Sequence, residues 1–173
     1  MKYDKIVIEG PNNVGKSTII KALQKEFGYQ SEHTTGACPN DYKFYSICLD
    51  YPEPLIFDRL HVGEMVYPAL FNREGNLTRE EFKQLLQKHN DDVLIVIMDA
   101  DYDFIVRSCA AKQEKFDLDF VTQERILFYN LWFNMVHDGF NVLRLKNHWD
   151  ESGTAKHEIV GKIVEVCNRG TIE

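Results

Sequence analysis

The chain lacks the patterns that mark several common protein classes. Its four cysteines, Cys38, Cys48, Cys109 and Cys167, form no C-x-x-C pair and have no clustered histidine beside them. That spacing indicates neither a zinc site nor a disulfide framework, and free thiols suit a reducing cytoplasm. No apolar run approaches the roughly 20 residues that a membrane-spanning helix needs. Lys and Arg number 20 against 27 Asp and Glu, for a net charge of −7. An acidic balance excludes a broad nucleic-acid-binding face, because neutralising a phosphate backbone takes clustered cations. A small anion in a local positive pocket is still allowed. No linker, repeat or low-complexity tract interrupts the 173 residues, so length and a 44% hydrophobic share point to one domain, 1–173, around a single core.

What is present is concentrated near the start. Gly10-Pro11-Asn12-Asn13-Val14-Gly15-Lys16-Ser17 reads G-x-x-x-x-G-K-S and follows the apolar run Ile6-Val7-Ile8. A glycine-rich turn between a buried strand and a helix starting near Lys16 is the context that a phosphate-cradling P-loop requires. The two glycines let backbone N–H groups converge on a polyphosphate. Lys16 adds a point charge at the β and γ phosphates, and the Ser17 hydroxyl suits Mg²⁺. The motif therefore implies a bound polyphosphate and Mg²⁺.

Short apolar runs alternate with helical patterns along the rest of the chain, which is the signature of a parallel sheet covered on both faces. Strands are expected at Lys5 to Glu9, near Tyr29 to Thr34, Leu55 to Asp58, Val93 to Met98 and Asn141 to Leu145. Helices are expected at Lys16 to Phe27, His61 to about Phe71, Arg79 to Lys88, about Asp103 to Lys112, Asp119 to His137 and Thr154 to Asn168. Thr78-Arg79-Glu80-Glu81 reads as a capping box, so the third of these has a marked start.

A second constellation, Phe57-Asp58-Arg59-Leu60-His61, falls where the third strand ends. In an open parallel sheet the carboxyl ends of the strands face the ligand crevice, so an acid and a base here lie beside the P-loop. Arg59 can clamp an acceptor phosphate in bidentate fashion, and Asp58 can hold Mg²⁺ or orient the nucleophile. A solvated ion pair at a strand end is the plainer reading of the same two residues.

These residues resemble the thymidylate kinase-like and deoxynucleoside kinase-like branch of P-loop nucleotide kinases. Ile6-Val7-Ile8-Glu9-Gly10 with Gly15-Lys16-Ser17-Thr18 resembles that branch's first strand and P-loop, and Asp58-Arg59 its Asp-Arg signature. The resemblance implies a three-layer α/β P-loop NTPase fold with a five-stranded parallel sheet. It also implies phosphoryl transfer from ATP to a deoxynucleoside monophosphate, with a deoxynucleoside as the alternative acceptor. A catalytically silent nucleotide-binding protein is a third reading. The donor side falls to Gly10, Asn12, Asn13, Val14, Gly15, Lys16, Ser17 and Thr18, and the metal to Ser17 and Asp58. The substrate side falls to Asn12, Arg59, His61 and Tyr67.

The departures are local. Asn12 stands where the family has an aspartate, and Thr34-Thr35-Gly36-Ala37 where it has Thr-Arg-Glu-Pro. Pro68 replaces a glutamine after Tyr67, and Gly63 a serine. Phosphoryl transfer also asks for a basic lid over the phosphates. Between the fourth strand and the next long helix, in a lid region of about 103–118, the candidates are Arg107, Lys112 and Lys115. Of these Arg107 is placed with the catalytic residues Lys16, Asp58 and Arg59. The stripe Phe120, Leu127, Phe128, Leu131, Trp132, Met135 and Val136 is wider than one packing face, so sheet packing is joined by a homodimer contact as a second reading.

Overall fold

The structure is a computed structural model that describes residues 2–35, 38–148, 150, 152 and 154–170. Its order of elements is β1 (Lys5–Glu9), α1 (Lys16–Phe27), β2 (Gln30–His33), α2 (Tyr42–Leu49), β3 (Leu55–Asp58), a 3-10 turn (Val62–Met65), α3 (Tyr67–Leu70), α4 (Arg79–Lys88), β4 (Val93–Ala100), α5 (Tyr102–Lys112), α6 (Leu118–His137), β5 (Val142–Asn147) and α7 (Thr154–Arg169). The five strands form one parallel sheet in the order β2-β3-β1-β4-β5.

Alternation along the central strands builds a core on each face. Ile6, Ile8, Leu94, Val96 and Met98 pack with Ile19, Leu23, Ile163 and Val166 of α1 and α7. Val7, Ile95 and Ile97 turn the other way, against Tyr45, Leu85 and Phe128 of α2, α4 and α6. Strands buried on both faces read as continuous apolar runs, which is why β1 and β4 are plain in the sequence. The edge strand β2 is largely exposed and correspondingly faint. The capping box at Thr78 forms in full.

Two elements differ from expectation. Tyr42–Leu49 is helical, capped by Asp41, whose carboxylate accepts the Phe44 N–H at 2.8 Å. The expected single helix from His61 to Phe71 is instead the 3-10 turn followed by the single turn of α3. Pro68 has no N–H to donate, and its ring disfavours continuous helix through the turn before it. Among the described residues no helix is long and apolar enough to cross a membrane.

Candidate active site

The chain leaves β1 through Gly10, at φ 130, where a Cβ would lie 2.0 Å from the Met98 carbonyl oxygen of β4. Only glycine fits so close to a neighbouring strand. Gly15, at φ 91, closes the loop and caps α1. Val14 is buried, while Ser17 and Thr18 are exposed on the first turn of α1. Lys16 is buried and donates to the carbonyls of Gly10 at 2.9 Å and Pro11 at 2.5 Å. Burial, with Arg59 adding to it, pulls its ammonium down to about 7.

Beside this loop β3 ends in Asp58 and the chain turns at Arg59, whose φ of 68 is unusual for a residue with a side chain. The turn is held from below. Arg59 N–H donates to Ile8 C=O at 3.0 Å, and Glu9 Oε1 accepts from the N–H groups of Leu60 at 2.9 Å and Gly63 at 3.1 Å. Glu9 is fully buried, and burial raises its pKa; its Oε2 lies 3.8 Å from the Arg59 guanidinium. Backbone strain at such a site, of order 1–3 kcal/mol, persists only where the surroundings over-determine it. Two hydrogen bonds to a buried carboxylate supply that restraint.

The Arg59 side chain then spans the crevice. It donates to Gly10 C=O at 3.3 Å, to Asn12 Oδ1 at 2.9 Å and to the Tyr67 hydroxyl. Glu124 of α6 completes the ring: Oε2 accepts the Asn12 N–H at 3.0 Å, and Oε1 accepts from Asn12 Nδ2 at 3.0 Å and the Tyr67 hydroxyl at 3.1 Å. Burial raises the pKa of Glu124 as well.

Two cavities meet at this network. One, of about 340 Å³, is lined by the P-loop residues Asn12 to Thr18 other than Val14, by His33, Asp58 and Arg59, by Phe104, Ser108 and Lys112 of α5, and by Glu114 just beyond that helix. The other, of about 330 Å³, is lined by Asn12, Arg59, Tyr67, Glu64, Phe71 and Arg73, with Thr34, Thr35, Asn40, Tyr45, Leu60 and Gly63. Asn12 and Arg59 belong to both. Asp58 faces the first, its carboxylate 3.3 Å from His33 Nδ1.

Sequence-predicted residues are thus brought together with two exceptions. His61 lies in the core rather than at the crevice: it is 1% exposed, with its ring between those of Tyr45 and Phe82 at centroid distances of 6.1 and 5.6 Å. The tight turn after β3 rotates it under α2 and α4. Arg107 is exposed on α5, and the α5 residues at the first cavity are Phe104, Ser108 and Lys112. Asp99, at the end of β4, is held by Arg125 at 2.8 Å and Arg144 at 2.8 Å and stands apart from both cavities. Glu9 and Glu124 were not among the predicted site residues. The sequence signal for Glu9 is an acid ending an apolar strand; Glu124 lies between Gln123 and Arg125 and carries no comparable signal.

The donor set fits the groups the P-loop implies. Hard oxygen ligands from Ser17 and Asp58, lining one cavity with the Lys16 ammonium, suit Mg²⁺ held between protein and phosphate oxygens. No group of three or more His, Cys, Asp or Glu side chains that could hold a metal ion occurs among the described residues.

No protein-family model matches the chain, and no curated protein matches it by sequence. Solved structures do match over nearly its whole length. The YorR protein from Bacillus subtilis, in complex with phosphorylated GDP, is 20% identical over 98% of this chain and 99% of its own, with a TM-score of 0.69. Thymidylate kinase from Candida albicans is 12% identical over 98% and 92%, with a TM-score of 0.61. Deoxyadenosine kinase from M. mycoides with bound dCTP is 16% identical over 93% and 99%, with a TM-score of 0.58. Strand order and element order give the chain the three-layer α/β fold of these P-loop kinase neighbours.

Proposed function

We propose that the protein transfers the γ-phosphoryl group of ATP to the phosphate of a deoxynucleoside monophosphate. The observation that carries this reading is Arg59, shared by two cavities and aimed across the wall between them. A guanidinium fork at that point clamps an acceptor phosphate in bidentate fashion, and a phosphate oxygen is already ionised, so positioning rather than a strong base is what the chemistry needs. Lys16, with the P-loop amides, binds the donor phosphates. Mg²⁺, held at Ser17 and Asp58, supplies charge neutralisation on the donor. Phe71, 55% exposed and stacked on Tyr67, offers a face for the acceptor base. We place the protein in the cytoplasm, as a homodimer joined through α6.

A deoxynucleoside kinase is the second reading, supported by the Asp58–His33 pair, because a sugar hydroxyl acceptor needs a carboxylate base. The neighbours named above include kinases for a nucleotide and for a nucleoside, so the acceptor is the open variable. Measuring ADP release with Mg-ATP over a panel of nucleosides and monophosphates tests both; silence across the panel would sink both. Arg59→Ala separates them. With a monophosphate acceptor, kcat/KM for the acceptor falls by about 2 kcal/mol or more while background ATP hydrolysis is spared. A joint fall of hydrolysis and transfer, with a nucleoside as the best acceptor, selects the second reading.

A further inference from the structure

Asn12 and Asn13 turn their side chains in opposite directions. Asn12 is committed to Arg59 and Glu124. Asn13 sits at φ 61, in the left-handed region that asparagine tolerates better than most residues, and this aims its amide at the end of α5. There its oxygen accepts from Lys112 Nζ at 2.6 Å, and its nitrogen donates to Glu114 Oε2 at 2.8 Å and to Cys109 Sγ at 3.2 Å. All three partners lie within one reversal of the chain, centred on Gln113 at φ 58. The single Asn13 amide therefore uses its acceptor and its donor group on the last turn of the helix and the residues just beyond it.

We infer that Asn13 is a positioning residue that docks the end of α5 on the P-loop and holds Lys112 over the donor phosphates. The assignment rests on the kinase reading for its function but on geometry for its contacts. Phe104, Ser108 and Lys112 recur every four residues, which puts them on one face, and that face lines the P-loop cavity. Arg107 is not among the residues that line it. The ammonium carries three N–H donors; one goes to Asn13 and the others are available to phosphate. The amide is neutral, so it orients the ammonium without cancelling its charge. An acid at position 13 would hold Lys112 too, but would repel Glu114 and the phosphates.

The test is a double-mutant cycle in the full chain. Asn13→Gly removes the amide while keeping a residue at ease with positive φ, and Lys112→Ala removes the cation; thermal melts verify that both fold. Each single change should lower kcat by about tenfold or more with the Kd for ATP within about threefold, and the double variant should be no worse than Lys112→Ala alone. Without nucleotide, amide hydrogen exchange across 105–114 should quicken in Asn13→Gly. Additive losses, a loss seen with Arg107→Ala but not with Lys112→Ala, or unchanged exchange would overturn the assignment. A wild-type protein with no phosphotransfer overturns the kinase reading instead, and the exchange then decides the docking alone.

Discussion

Lys16 donates to two carbonyls of its own loop while burial holds its pKa near about 7. A bound polyphosphate adds negative charge beside the ammonium and raises that value again, so binding above pH 7 takes up a proton. The sign follows directly: between pH 7 and 9 the free protein loses the Lys16 proton, and ATP affinity falls as pH rises. Calorimetry in buffers of different ionisation enthalpy should register the uptake. Lys16→Ala should remove both the uptake and the turnover, because the side chain supplies charge to the phosphates. Retention of most of the turnover would mean that the loop does not serve phosphoryl transfer. At Asp58 the expected pattern is different. Asp58→Asn keeps the shape and removes the charge, so turnover should collapse while ATP affinity changes much less. Normal turnover with weakened ATP binding would reverse the role given to this residue.

At the scale of the element, α6 presents two apolar faces. Val121, Glu124, Phe128 and Met135 are buried against the sheet and the site. Leu118, Ile126, Tyr129, Phe133 and Val136 are exposed, and at 100° per residue they fall within one arc on another face. On the homodimer proposed above, a second copy would meet this exposed stripe helix to helix. Phe133→Glu should shift sedimentation from dimer to monomer and leave the far-ultraviolet spectrum unchanged. A wild-type monomer at tens of micromolar removes the contact. The sequence shows that α6 has more apolar residues than one face needs, but which of them are left exposed depends on where the sheet lies. The same limit applies elsewhere. β1, the P-loop and Asp58-Arg59 are legible because a short contiguous pattern defines each. Glu9 and Glu124 are not, since their roles depend on partners 51 and 112 residues away. The helix α2 hides among aromatic residues that read equally well as a base-stacking cluster, although Asp41 three residues before Phe44 is a recognisable cap. Lys112 outranks Arg107 only once the phase of α5 about the P-loop is fixed.

For the whole molecule, His61 links the site's misplaced histidine to the pH dependence of folding. Neither ring nitrogen has a hydrogen-bond partner among the described residues, and burial pulls its pKa to about 3. An unfolded chain protonates the same residue near its ordinary 6.5, so it binds a proton that the folded state refuses. Above that value His61 costs nothing to ionisation balance; as pH falls from 6.5 towards 3 stability drops, approaching about 1.4 kcal/mol per pH unit. From pH 7 to 5 the loss is about 2 kcal/mol, or about 4–8 °C in melting temperature for a chain of this size. His61→Leu fills similar space without the unpaired nitrogens. It should melt no lower than the wild type at pH 7 and lose less between pH 7 and 5, with His89 still titrating in both proteins. Burial also raises Glu9 and Glu124, and that works in the opposite sense, favouring the folded state as pH falls; because it is common to both proteins, it cancels in the comparison. Melting curves at the two pH values, run side by side, decide the matter: equal losses would mean that the histidine ring is not held neutral in the core, and its placement between Tyr45 and Phe82 would have to be given up.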